Sequence, residues 1–185
     1  TIDPFKHPNP SIHHSVTAEA LAKHLEGPYP ELASKVKTLL KDSFFKNEDI
    51  RNKEEYRTKI LAQTKELANQ NLSRLFFPKE YGGDDNPMKG FVVFENLAHG
   101  DLSLLVKFGV QFGLFGGAVN LLGTRKHHEK YLRDLGKLEL AGCFAMTETG
   151  HGSNVRGLTT TATFDEKTDS FIINSPFETS GKEYI

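Results

Sequence analysis

The spacing of apolar residues changes period once along this chain, near Lys137, and that change restricts the possible folds more than any other feature. Up to Gly136 the apolar residues recur at helical intervals. Ala18, Leu21, Ala22 and Leu25 fall at i, i+3, i+4 and i+7 behind Thr17 as a cap, with Gly27-Pro28 as a stop. Leu32, Val36, Leu39 and Leu40 repeat the pattern, and Tyr56, Ile60 and Leu67 mark one face of a longer, charged helix from about residue 48 to 71. Proline and paired glycine in Phe77-Pro78-Lys79-Glu80-Tyr81-Gly82-Gly83 predict an irregular loop. A helix over residues 91–99 closes at Gly100, and Asp101 or Ser103 caps the apolar helix that follows. Thr124 caps another, whose Tyr131, Leu132 and Leu135 face inward. Beyond Lys137, residues 140–146, residues 159–164 and Phe171-Ile172-Ile173 read as strands, and the polar run 165–169 predicts a hairpin turn.

Helices first and strands afterwards predict an α+β fold with segregated parts rather than a βαβ array. The expected division is a helical domain over residues 1–139 and the beginning of a β-domain over residues 140–185. Another strand starts at Lys182-Glu183-Tyr184-Ile185 and the sequence stops inside it, so the chain is expected to be part of a longer polypeptide.

Residues 102–123 are apolar enough on paper to cross a bilayer. Lys107, Gln111 and Asn120 interrupt the run, and the GxxxG spacing of Gly109, Gly113 and Gly117 equally lets a buried helix of a soluble bundle approach its neighbours. An intramembrane lysine is costly, so a core helix is expected and no membrane span. A hydrophobic content of 37 % is enough for such a core. With 23 basic against 24 acidic residues and a net charge of -1, the chain lacks the positive field of a general nucleic-acid binder. The single cysteine, Cys143, excludes an internal disulfide or a cysteine-based zinc cluster and reads as a buried core thiol in a reducing compartment. Residues 1–10 carry no apolar segment of a secretory signal, which leaves the Asn71-Leu72-Ser73 sequon idle. His127-His128-Glu129 has neither metal-helix spacing nor a third ligand, so no metal site is expected.

Glycines and small polar residues are densest over residues 144–157, at the end of the first expected strand, where ligand loops commonly sit. Generic motifs fail there. The dinucleotide fingerprint begun by Gly150 and Gly152 would need glycine in place of Val155. Gly152 and Gly157 have phosphate-loop spacing, but Leu158 stands where lysine is required. Ser153 lacks the flanking glycines of a nucleophile elbow. What remains can hold a large, anionic, planar cofactor through hydroxyls and closely approaching backbone N–H groups, although composition alone favours a structural turn.

The run Met146-Thr147-Glu148-x-Gly150-His151-Gly152-Ser153-Asn154-Val155-x-Gly157-Leu158-x-Thr160-Thr161-Ala162 is similar to the signature of peroxisomal-type acyl-CoA oxidases. More loosely, it resembles the Thr-Glu-x-x-x-Gly-Ser-Asp signature of acyl-CoA dehydrogenases. The loop 77–83, Phe94-Glu95-Asn96-Leu97-Ala98, Gly123-Thr124 and Tyr131-Leu132 occur in family order, so the resemblance covers roughly residues 75–185. It implies an acyl-CoA dehydrogenase-like fold, with an N-terminal helical domain followed by the start of a middle β-domain and the family's C-terminal helical domain absent. FAD is the implied cofactor, contacted by Phe144, Ala145, Met146, Thr147, Gly152 and Ser153, with Ser153 also beside the acyl-CoA substrate. Lys182-Glu183-Tyr184-Ile185 resembles the Lys-x-Trp-Ile segment of dehydrogenases, which places Tyr184 and Ile185 near the flavin.

By the same resemblance no catalytic residue lies in this sequence. The base that removes the substrate α-proton is expected downstream of residue 185, and Glu148 reads as a hydrogen-bonding residue of the loop. His151 either polarises a thioester or packs the loop, and Arg156 either meets a phosphate of FAD or CoA or forms a surface salt bridge. The implied reaction is oxidation of acyl-CoA to trans-2-enoyl-CoA in fatty acid β-oxidation, with molecular oxygen as acceptor and hydrogen peroxide as product. Asn154 in place of the dehydrogenase Asp leans that way. The alternatives are an acyl-CoA dehydrogenase that passes electrons to an electron-transfer flavoprotein, or a non-catalytic scaffold of the same fold. A homodimer or larger assembly is implied, in the peroxisome of a eukaryote or the cytoplasm of a bacterium.

Overall fold

The computed structural model describes residues 17–183, and most of its helices begin where a side-chain oxygen is available to cap them. Thr17 Oγ1 accepts from the Ala20 N–H at 3.1 Å at the head of α1 (Ala18–Leu25). Helix α2 (Pro30–Leu39) starts on Pro30, whose missing N–H would have had no partner in a first turn. Asn52 caps α3 (Lys53–Asn69) by accepting from Glu54 and Glu55, and Asn86 caps α4 (Pro87–Leu97) by accepting from Lys89. The charged helix therefore starts at Lys53 rather than near Glu48. Lys59 Nζ instead fastens the preceding segment, donating to the Lys46 carbonyl at 2.8 Å and the Glu48 carboxylate at 2.7 Å.

Asp101 is the residue that caps the long apolar helix α5 (Leu102–Leu122), accepting from the Ser103 N–H at 2.8 Å. Tyr56 of α3 donates its hydroxyl to the same carboxylate at 2.7–2.8 Å, so one helix fixes the start of another. Because Asp101 is only 7 % exposed, Tyr56→Phe is expected to lower the unfolding free energy by about 1.5–3 kcal/mol, read from denaturant melts.

Helix α2 packs on α4, α5 packs on both α3 and α4, and α6 (residues 125–136) packs on the C-terminal half of α5. Leu67, Phe77, Leu97, Phe112, Leu132 and Leu135 are fully buried where they meet. Helix α5 is long and apolar enough to span a bilayer, and it packs into the core through Leu104, Phe108 and Phe112 while 33 % of its most apolar stretch is buried. Its close approaches differ from the expected GxxxG set. A side chain on Gly109 would begin 2.8 Å from the Phe94 ring, and one on Gly116 would begin 2.9 Å from the Phe77 ring and 3.0 Å from Leu135. A side chain on Gly113 or Gly117 would meet nothing within 4 Å. Residues Gly109–Phe115 are π-helical, as are His128–Leu132 of α6. Helix α1 forms as expected, but none of its residues is buried.

The loop 77–83 bends sharply at its two glycines. Gly82 has φ 86°, and a side chain on Gly83 would overlap the Phe77 carbonyl and lie 2.6 Å from that of Arg74. The sequon residues are also structural: Asn71 takes the left-handed position that ends α3, with the Leu72 N–H bonded to the Leu67 carbonyl at 3.0 Å. Buried Ser73 donates to the Gly136 carbonyl at 2.6 Å.

The expected hairpin is present. β1 (Thr161–Asp165) and β2 (Ser170–Asn174) pair antiparallel with Phe164 opposite Phe171, and Asp165 holds the turn by accepting from Thr168 Oγ1 at 2.8 Å. One other strand expected from the sequence, over residues 140–146, is not present. Residues 140–146 join no ladder among the described residues, and a side chain takes two of their backbone groups. The Gln111 amide donates to the Leu140 carbonyl at 2.8 Å and accepts from the Gly142 N–H at 3.0 Å. Lys182 and Glu183 are not in a strand either, and Tyr184 and Ile185 lie outside the described residues. Cys143, read from sequence as a core thiol, is exposed, since it sits on that docked segment and outside the helical core.

Candidate flavin and substrate site

One buried carboxylate organises the glycine-rich loop. Glu148, 1 % exposed, accepts from the Thr159 N–H at 2.9 Å, the Thr160 N–H at 2.8 Å and Thr159 Oγ1 at 3.1 Å. Lys182 Nζ lies 3.2 Å from Glu148 Oε1, the oxygen that accepts from Thr160, and donates to the Met146 carbonyl at 2.7 Å. The backbone closes the same unit: Glu148 and His151 exchange two N–H···O bonds of 3.1 Å, and the Thr149 and Gly150 N–H groups reach the Gly181 and Thr179 carbonyls at 3.0 and 2.9 Å. Residues 146–151, 157–160 and 178–182 are thereby held as one piece.

Burial works against a charge on Glu148, but the hydrogen bonds from Thr160 and Thr159 and the Lys182 ammonium outweigh it and hold the carboxyl well below the usual carboxylate range. Ionised and enclosed, it acts on the loop and not on a ligand. His151 packs the loop: its Nδ1 lies 3.5 Å from Glu148, and a side chain on Gly157 would begin 2.8 Å from its ring. Arg156 is exposed. In the His127-His128-Glu129 run, His127 Nδ1 accepts from the Thr124 N–H at 3.1 Å and Glu129 pairs with Arg125 at 2.7 Å.

A groove of 390 Å³ runs over Phe144, Ala145 and Met146 and is walled by Leu158, Thr160 and Lys182. Half-buried Thr147 follows these residues directly, while Gly152 and Ser153 lie on the exposed bend beyond His151 and do not line the groove. At Gly152 nothing lies within 4 Å of where a side chain would begin, so an approaching molecule meets bare backbone. A second cavity, a cleft of 960 Å³ between α3 and α5, has Ile60, Val106 and Val110 in its lining, cations at Lys53, Arg57 and Lys107, and Ala141 and Gly142 at its border. Successive residues thus connect the two, Gly142 in the cleft and Cys143 in the groove. Sequence reasoning missed Thr159, Thr160 and Lys182 as partners of Glu148, and it missed Gln111. The threonines signalled only a strand.

The family model described as acyl-CoA dehydrogenase, N-terminal domain, matches residues 31–139, and the chain belongs to this family. Within it, the chain is 38 % identical over 175 residues to the peroxisomal acyl-coenzyme A oxidase 2 of Arabidopsis thaliana, a match that covers 92 % of this chain and 24 % of that protein. Among solved structures, acyl-CoA oxidase 3 of Yarrowia lipolytica matches with a TM-score of 0.70 at 29 % identity, over 88 % of this chain and 23 % of its own. An acyl-CoA dehydrogenase of Bacillus anthracis complexed with FAD shares the fold at 20 % identity, with a TM-score of 0.65 over 88 % of this chain and 26 % of its own. The chain spans about a quarter of the length of these proteins. Its fold is acyl-CoA dehydrogenase-like, a helical N-terminal domain followed by two antiparallel strands that start a sheet.

Proposed function

We propose that the chain supplies one wall of the active site of an FAD-dependent acyl-CoA oxidase, which converts acyl-CoA to trans-2-enoyl-CoA in fatty acid β-oxidation. The division falls at residue 139, with the helical domain before it and the β-domain from residue 140. The observation that carries the reading is the arrangement of residues 144–153: an apolar groove followed by hydroxyls and bare backbone, with the loop's one acid locked inward. That donor set fits a flavin, since an electron-rich ring edge would meet neutral donors rather than a carboxylate.

In this reading Phe144, Ala145 and Met146 lie against the ring system, Thr147 donates to its edge, and Gly152 lets the backbone approach closely. Ser153 touches the cofactor and turns its hydroxyl toward the acyl-CoA, and Tyr184 and Ile185, outside the described residues, keep the flavin contact that the resemblance implies. The flavin, when bound, supplies the hydride acceptor for the substrate Cβ and delivers the electrons to molecular oxygen as hydrogen peroxide. Glu148 is already engaged by its own loop and is not the base, in keeping with a base downstream of residue 185. The cleft between α3 and α5, apolar with three cations, suits the apolar tail of an anionic amphiphile such as acyl-CoA. The peroxisomal relative supports a peroxisomal setting in a eukaryote, and a homodimer or larger assembly belongs to the same reading.

The full-length protein, given acyl-CoA in air with no other acceptor, is expected to release hydrogen peroxide in step with enoyl-CoA. Turnover that needs a dye acceptor and yields no peroxide would replace the oxidase with a dehydrogenase. Purification without any flavin absorbance would leave the non-catalytic scaffold.

A further inference from the structure

Among the described residues, Gln111 is the polar residue of the helical core whose side chain reaches the segment that leads to the loop. Its side chain, 5 % exposed, leaves the π-helical stretch of α5 and engages the Leu140 carbonyl and the Gly142 N–H with the two ends of one amide. Those two groups flank Ala141, and they are the pair that a neighbouring parallel strand would engage. The amide therefore stands in for a missing strand and gives the segment a fixed register on the helix. Gly142 reinforces the register, because any side chain there would overlap the Phe115 ring. Two residues later the chain reaches Phe144 and the groove.

We propose that Gln111 is a positioning residue for the flavin-contacting segment, setting where residues 144–147 lie without touching the cofactor. The inference rests on the flavin reading above and adds to it a determinant on a different element, about thirty residues earlier in the chain. A carbonyl and an N–H left without partners in a half-buried place would let the segment shift to find others, and a misplaced contact wall weakens cofactor binding and alters its spectrum.

The test uses the full-length protein, with flavin affinity measured by titrating the stripped protein with FAD and the environment read from the visible spectrum. Gln111→Met keeps the volume and removes both hydrogen bonds. Its flavin dissociation constant is expected to rise by about tenfold or more, with a displaced absorption maximum. Asn86→Ala, which removes the cap of α4 away from this contact, is expected to leave both readouts unchanged. Gln111→Glu is the second variant, because a protonated carboxyl can donate to Leu140 and accept from Gly142 as the amide does, whereas a carboxylate cannot donate. Its spectrum is expected to approach the wild type as pH falls and depart from it as pH rises. Wild-type affinity and spectrum in Gln111→Met, or a Gln111→Glu spectrum that follows the wild type at every pH, would overturn the inference while leaving the flavin reading intact. A wild-type protein that binds no FAD would instead remove the reading on which it rests.

Discussion

Replacing Phe77 with alanine is expected to lower the unfolding free energy by about 3–5 kcal/mol, a large part of the 5–15 kcal/mol that stabilises an ordinary domain. Phe77 is fully buried, and its ring lies edge-on to Phe76 at 4.7 Å between centroids. The ring also occupies the space left by two glycines, with side chains on Gly116 and Gly136 beginning 2.9 and 3.5 Å from it. The surrounding backbone has little freedom to close the gap. The Phe77 N–H donates to Arg74 and its carbonyl accepts from Asp85, both at 2.9 Å, so the loop stays in place while the cavity stays open. Denaturant melts against Phe91→Ala provide the comparison, since Phe91 is 66 % exposed and its loss should change stability by no more than about 0.5 kcal/mol. Equal costs for the two would show that Phe77 is not the keystone of this packing.

Removal of the Glu148 carboxylate has the second largest expected effect, and it falls on the loop rather than on the bundle. In Glu148→Ala the Thr159 and Thr160 donors and the Lys182 ammonium lose their shared partner in a dry place, so residues 146–151 and 178–182 separate and flavin affinity drops by tenfold or more in order of magnitude. Glu148→Gln keeps the shape but turns an N–H₂ toward groups that are themselves donors, which places it between alanine and wild type. The dependence on pH has a definite sign. The carboxyl is held below its ordinary value of 4.5, so its contribution is complete above that pH and is lost only as pH falls through the lower, folded value. Hydrogen exchange should show the Thr159 and Thr160 amides protected at pH 5 and released in stronger acid, a transition that Glu148→Gln lacks. Identical acid profiles for the two proteins would show that this carboxylate does not hold the loop.

What could be read from the chain was whatever residues decide with their immediate neighbours. Thr17 and Asp101 were legible as caps because a cap bonds to an N–H two or three residues ahead. The 161–174 hairpin was legible because Asp165 closes its own turn. Residues 140–146 have the composition of a strand and were expected as one, but whether a strand forms depends on what lies beside it, and here that is an amide from α5. Cys143 followed the same error, since an exposed thiol on a docked segment has the same sequence as a buried one on a strand. Within the site, the residues 144–153 stood out by density of glycine and hydroxyl. Lys182 did not, because its role is set by a carboxylate that only folding brings near it. The glycine spacing of α5 misled for a related reason: which glycine must stay small depends on which ring faces it, Phe94 at Gly109 and Phe77 at Gly116.

The wide turns of α5 also decide how this helix can change length over evolutionary time. A π turn takes up one residue more than an α turn, so dropping Gly113, where a side chain would meet nothing within 4 Å, would close the winding to the α form and leave Gly116 still directed at Phe77. An equal deletion within the regular turns of Leu102–Phe108 would swing everything beyond it by about 100° and drive side chains into that ring.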